Sequence, residues 1–127
     1  MIGFDPLNEP FPGNPTQNPK LMYPGYADKN QLGPMYARIF DKYMANSQKS
    51  IMWFEPTQFP DVLPFGKTGL IIPVGFDVPP GGEIGSRNHV LNDHSYCCSL
   101  IGGVCADGEP QVAMADTCKA FHNKRLN

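Results

Sequence analysis

"GFDPLNEPFPGN", residues 3–14, begins as an apolar alternation, reaches Asn8-Glu9-Pro10 and then breaks into Pro and Gly. Read with a period of two, residues 2–9 form a short strand, with Ile2 and Phe4 on one face and Gly3, Asp5, Leu7 and Glu9 on the other. An amide and a carboxylate thus stand side by side where a strand ends. Two further stretches end the same way. Residues 50–54, "SIMWF", are a brief apolar strand stopped by Glu55-Pro56. Residues 88–97, "NHVLNDHSYC", alternate, and Asn88, Val90, Asn92, His94 and Tyr96 share one face.

Helical patterns separate these strands. A Pro/Gly-rich loop runs to about Asn30, and residues 31–47 then carry Tyr36, Ile39, Phe40 and Tyr43 at spacings of three and four, an apolar stripe. Pro34 fits only in the first turn of that helix. The loop 56–87 holds one apolar run, residues 70–74, read as a small extra strand. A second loop, with Cys105, leads to a last helix at about 110–125. Pro110 is expected in its first turn, Met114, Cys118 and Phe121 on its apolar face, and Lys119, Lys124 and Arg125 towards its C-terminal end.

Strands alternating with helices predict an α/β fold with a parallel sheet. In such sheets chemistry collects at the C-terminal ends of the strands, where all three strands here place polar groups. Three strands cannot close a barrel, and a complete eight-stranded barrel takes about 250 residues. Residues 1–127 therefore read as the central part of one larger domain.

Composition narrows the function classes. A net charge of −2 without a basic run argues against a nucleic-acid partner. No stretch has the length of a membrane span, and the first residues have no signal-peptide pattern. Fourteen prolines and thirteen glycines, clustered at 6–34 and 56–85, indicate long loops. The interleaved aromatics Phe11, Tyr23, Tyr26, Phe59, Phe65 and Phe76 argue that these loops are ordered and packed. Cys97, Cys98, Cys105 and Cys118 do not make a zinc pattern. A bond between the neighbours Cys97 and Cys98 would be strained. Two pairings stay open: 97 with 105 and 98 with 118, or 98 with 105 and 97 with 118. Disulfides would imply a secretory or lysosomal compartment.

Glu9 beside Asn8 suits glycosidic cleavage, the acid protonating the leaving oxygen and the amide holding a sugar hydroxyl. The bland alternative is a loop Asn-Glu-Pro without a role. His94 and Tyr96, two apart on a strand, face the same way and can both reach a carboxylate or a sugar hydroxyl. A lone histidine is more often structural, and His89 and His122 are read so. Glu55 shares its parity with Trp53, whose ring could cover the apolar face of a pyranose; ordinary packing and a loop salt bridge are the alternative.

"GFDPLNEPFPGN", "IMWFEPTQFPD" and "LNDHSYCC" together resemble glycoside hydrolase family 5, and within it the endoglycoceramidases, over nearly the whole chain and in the same order. The resemblance implies a (β/α)8 TIM barrel and a retaining hydrolase that cuts the bond between the oligosaccharide and the ceramide of glycosphingolipids. By it, the three strands are the fourth to sixth of the barrel. Glu9 is the acid/base, Asn8 binds the adjoining sugar, and His94 and Tyr96 stand beside the catalytic pair, with Tyr96 on the nucleophile. Trp53 and Glu55 are the further substrate-binding candidates. The family's nucleophile is a second Glu at the end of the seventh strand, beyond Asn127, so the 127 residues alone are expected not to turn over substrate.

No metal or organic cofactor and no obligate protein partner is implied. The expected partners are a glycoside and, through it, peripheral contact with membrane lipid. The expected compartment is extracellular or lysosomal. Other readings are the same fold acting on glucosylceramide or a polysaccharide, a non-catalytic carbohydrate- or lipid-binding relative, and a small disulfide-stapled domain that folds alone.

Overall fold

A computed structural model describes residues 3–46, 50–58, 62–63, 70–71, 75–82, 87–94, 105–106, 109–110 and 115–125. In chain order the elements are β1 (Gly3–Phe4), a 3-10 turn (Pro19–Met22), a π-helical turn (Asp28–Leu32), α1 (Gly33–Asn46), β2 (Ile51–Phe54), β3 (Val62–Leu63), β4 (Leu70–Ile71), β5 (His89–Leu91), β6 (Cys105–Ala106), β7 (Glu109–Pro110) and α2 (Ala115–Arg125).

The three strands expected to carry the chemistry form one parallel sheet in the order β1-β2-β5. Its register sorts the residues by face. Phe4, Met52 and His89 lie in one row, and Phe54 pairs with Leu91 in the next. This face packs on α1: Leu32, Tyr36, Met52 and Phe54 make the buried core, with Phe4, Ile39, Phe40, Tyr43 and Leu91 around it. The packing is largely aromatic. Phe4 meets Tyr43 with ring centroids 4.2 Å apart, and Phe54 meets Phe76 edge-on at 5.3 Å. His89 joins this face, edge-on to Phe40 and Phe54, as a structural residue.

The opposite face carries Gly3 beside Ile51 and Trp53 beside Val90. Trp53 and Val90 each retain 36% of their surface. A Cβ on Gly3 would run into the Ile51 carbonyl oxygen and lie 2.9 Å from the Trp53 indole nitrogen, so the neighbouring backbone, with the ring behind it, leaves room only for glycine. Parallel sheets are normally covered on both faces; among the described residues, the helix packs on one.

Several elements differ from the sequence-based expectations. β1 is two residues long, not eight. Pro6 has no N–H to continue a ladder, and Asp5 Oδ1 instead accepts from the Leu7 N–H at 3.2 Å. Helix α1 starts at Gly33, and the turn before it is π-helical, with the Gly33 N–H donating to the Asp28 carbonyl. Pro34 cannot donate and its ring crowds the preceding turn, which the wider π turn accommodates. The run at 70–74 contributes only Leu70–Ile71, paired antiparallel with β3. Pro110 belongs to β7, paired antiparallel with β6, and α2 begins five residues later. The strand expected over 88–97 is described as His89–Leu91, and residues 95–97 lie outside the described residues.

The first proline-rich loop is ordered by its own side chains. Asn14 Oδ1 accepts from the Thr16 N–H and hydroxyl, Asn18 Oδ1 caps the 3-10 turn through Lys20 N–H, and Leu21 is buried. Phe11 and Tyr23 are nevertheless exposed, contrary to the expectation that its aromatics pack inward. Asp28 ties the loops together from the π turn. Its carboxylate, 2% exposed, accepts from the Thr57 N–H at 2.7 Å, the Thr57 hydroxyl at 2.9 Å and the Gly75 N–H at 2.9 Å. Gly75 runs so close to the Gly25 backbone that no side chain fits between them.

Met52 sits at the centre of the core with no exposed surface. Met52→Ala is expected to destabilise the chain by about 2–5 kcal/mol. Denaturant unfolding followed by Trp53 fluorescence measures this, and a change under about 1 kcal/mol would show that the core is not organised around β2.

Candidate active site

The C-terminal ends of the three strands bring Asp5, Glu9, Glu55, Asn92 and His94 together. Extending the register one residue beyond β2 and β5 puts Glu55 opposite Asn92, on the face away from α1. Asn92 Nδ2 donates to Glu55 Oε1 at 2.9 Å and to Asp5 Oδ2 at 3.2 Å, so one amide bridges two carboxyl groups. The Asn92 N–H donates to the Phe54 carbonyl at 2.9 Å, which holds the two chain segments together just before the cluster.

Glu55 is the deepest member, with no exposed surface. Its Oε2 accepts from the Glu9 N–H at 2.7 Å, a short bond across from the β2 end to the loop after β1. The Glu55 N–H donates to the Tyr36 hydroxyl at 3.3 Å, which ties the same residue to α1. The Gln58 N–H donates to the Pro10 carbonyl at 3.1 Å and joins the same two loops a few residues further on.

Glu9 has φ of +47°, the left-handed region that a non-glycine residue enters at a cost of about 1–3 kcal/mol. Its N–H on Glu55 and its Oε1 3.0 Å from His94 Nδ1 help to hold it there. His94 Nε2 lies 3.4 Å from Glu55 Oε1. The imidazole therefore spans the two glutamates, with one nitrogen to each. The Glu9 side chain remains 37% exposed while Glu55 is sealed, so of the two carboxyl groups Glu9 is the one that meets solvent.

The electrostatics follow from this crowding. Burial pushes the Glu55 carboxyl above its ordinary value, and the neighbouring Asp5 adds to the effect. The hydrogen bond to Glu9 raises the His94 imidazole, with Glu55, the Glu9 charge and Asp5 contributing further. The Tyr36 hydroxyl is pushed up to about 12, chiefly by burial, so it remains a neutral partner for the Glu55 backbone.

The sequence-predicted residues are distributed as follows. Glu9 and His94 are in direct contact. Glu55, expected to touch substrate, is buried beneath them and spends both oxygens on Glu9, Asn92 and His94. Asn8 is exposed beside Glu9, and Trp53 lies on the same sheet face as Glu55, two residues before it. Tyr96, Cys97 and Cys98 lie outside the described residues, as does the side chain of Cys105. Cys118 is buried on α2 and is not a free thiol. Among the described residues, no three side chains converge as metal ligands, and no helix is long and apolar enough to cross a membrane.

Asp5 and Asn92 are members that residue-type reasoning passed over. Strand parity was their signal, since Asp5 shares a face with Glu9, and Asn92 with His94.

The chain is 32% identical over 96 residues to an endoglycoceramidase of Cyanea nozakii, and equally so to one of Hydra vulgaris. The chain is similar to endoglycoceramidases. Each alignment covers 76% of this chain, which spans only 17% of the length of these curated relatives. No family profile and no solved structure matches the chain.

The shifts at His94 and Glu55 share one sign. Both groups bind a proton more tightly folded than unfolded, so the stability they add is complete below their unfolded values of 6.5 and 4.5. It is lost as pH rises through the folded values. The thermal midpoint is therefore expected to fall as pH rises, above 4.5 through Glu55 and further above 6.5 through His94, and His94→Gln to remove the second part of that fall. Calorimetry across this range checks it; a midpoint that rises with pH would contradict the assignment.

Proposed function

We propose that this chain carries the acid/base half of a retaining glycosidase that releases oligosaccharide from the ceramide of glycosphingolipids. The observation that carries this reading is the pairing of Glu9 with His94, 3.0 Å apart at the C-terminal end of a parallel sheet. The relatives named endoglycoceramidase support the substrate class. In this reading the sheet is the middle of a family 5 (β/α)8 barrel, and residues 1–127 are part of one catalytic domain. The half-exposed row of Trp53 and Val90 is then barrel interior, awaiting the remaining strands.

Glu9 protonates the glycosidic oxygen as the bond to the anomeric carbon breaks. A second carboxylate attacks that carbon from the opposite side and forms a covalent glycosyl-enzyme. Water then attacks the anomeric carbon and frees the second carboxylate, while Glu9 takes a proton from that water. His94 fixes the Glu9 carboxyl through Oε1 throughout. Glu55 is unsuited to be the attacking group, because it is sealed from solvent and bonded to the Glu9 backbone. The nucleophile comes from outside this chain, and Tyr96 is assigned to hydrogen-bond it. Asn8 is assigned to a hydroxyl of the sugar beside the scissile bond, and Trp53 to a sugar or the barrel interior. Cys97, Cys98, Cys105 and Cys118 are assigned to two disulfides, in keeping with a secreted or lysosomal enzyme.

In the full-length protein, Glu9→Gln is expected to lower hydrolysis of a ceramide glycoside by about 10²- to 10⁴-fold. A glycoside with a nitrophenol leaving group, which needs no protonation to depart, should lose far less in the glycosylation step. Equal losses on both substrates, or none on either, would reject the acid/base role.

A further inference from the structure

We propose that Glu55 is the positioning residue of this site, a buried carboxyl that holds Glu9 in its left-handed turn and orients His94 towards it. This deepens the glycosidase reading and rests on it for the acid/base role of Glu9, but the positioning itself concerns only groups within the cluster.

The geometry carries the argument. Glu55 projects from the end of the central strand, where it is flanked by both neighbouring strands. Its two oxygens divide the work: Oε2 takes the Glu9 N–H at 2.7 Å and Oε1 takes Asn92 Nδ2 at 2.9 Å, while His94 Nε2 stands 3.4 Å from Oε1 as an ion-pair partner. The bond to the Glu9 N–H is short, and the backbone there is in a left-handed conformation that costs energy to hold. With Nε2 facing Glu55, the other imidazole nitrogen faces Glu9. The position of the exposed glutamate is thereby set by the buried one at both its backbone and its side chain.

The groups facing Glu55 explain why a carboxyl is needed. Asp5 approaches from the β1 end, Glu9 from the following loop, Asn92 and His94 from the β5 end, and the Tyr36 hydroxyl from α1 meets its backbone. Both oxygens of Glu55 meet donors. A glutamine there has one acceptor and one NH2 group. If its oxygen serves Glu9, its NH2 confronts that of Asn92; if it serves Asn92, its NH2 confronts the Glu9 N–H. Glu55→Gln is nearly isosteric and still fails to satisfy the cluster. The raised proton affinity of Glu55 agrees with a carboxyl crowded by Asp5 and withdrawn from water.

The test uses ¹⁵N-labelled protein and two readouts by NMR: exchange of the Glu9 amide proton, and the titration midpoint of His94. In the unsubstituted protein the Glu9 amide should be protected. Glu55→Gln should speed its exchange by at least about tenfold, the worth of one hydrogen bond to a charged group, and lower the His94 midpoint. The fall in the His94 midpoint reports the loss of the Glu55 charge beside it, whereas a merely structural role for Glu55 would leave the Glu9 exchange where it was. Asp5→Asn, at an exposed position, is the second variant should Glu55→Gln not fold. It should lower the His94 midpoint and leave Glu9 protected, because the clamp is intact. An unprotected Glu9 amide in the unsubstituted protein, unchanged exchange in Glu55→Gln, or loss of protection in Asp5→Asn would each overturn the proposal. In the full-length protein, Glu55→Gln should lower kcat with little change in KM. If the full-length protein cleaves no glycoside while the NMR results hold, the glycosidase reading fails and the positioning of Glu9 stands.

Discussion

A carboxyl group sealed from solvent at the meeting point of three parallel strands is costly unless its oxygens are occupied by donors. Glu55 meets that condition through partners from both flanking strands, and in doing so it connects them. Its bond to the Glu9 N–H crosses from the central strand to the loop after β1, and its bond from Asn92 crosses to the segment after β5. Sheet hydrogen bonds align the strands up to the cluster, the last of them running from the Asn92 N–H to the Phe54 carbonyl. Past that point Glu55, the side-chain amide of Asn92 and the Gln58 N–H on the Pro10 carbonyl join the three chain ends.

The rest of the structure supports this junction from behind. Met52 and Phe54 anchor the central strand on Tyr36 of α1, and the Tyr36 hydroxyl accepts from the Glu55 N–H. Asp28, from the turn preceding α1, holds Thr57 just past Glu55 and reaches on to Gly75. The segment Glu55–Thr57 is thus held by one helix at two points, one aromatic and one anionic. Strain is concentrated on the solvent side, at Glu9, and rigidity beneath it. That division suits a site in which one exposed acid must keep a fixed position.

Much of this was legible in the residues. The alternations at 2–9 and 88–97, the apolar run at 50–54 and the stripe from Tyr36 to Tyr43 yield, with shorter strands than expected, the three parallel strands and the helix that covers them. Strand parity brings His94 to the site end of the sheet. The depth of Glu55 was not legible, because a Glu-Pro after a strand reads equally as a loop, and only the shared register with Asn92, whose amide also reaches Asp5, shows it turned inward. The left-handed Glu9 was hidden for a related reason: an eight-residue alternation suggested a strand, while Pro6 ends the ladder at Phe4. The short antiparallel pairs β3-β4 and β6-β7 are two residues per strand, below the length at which periodicity carries information.

The central claim is that Glu9, placed by the buried cluster, serves the bond being cleaved. A crystal structure of the full-length protein with an uncleaved ceramide glycoside tests it most directly. The account predicts a Glu9 carboxyl oxygen about 2.6–3.2 Å from the glycosidic oxygen. It also predicts a second carboxyl, from outside these 127 residues, about 5–5.5 Å away across the bond. A glycosidic oxygen beyond the reach of Glu9, or served by Glu55, would contradict it.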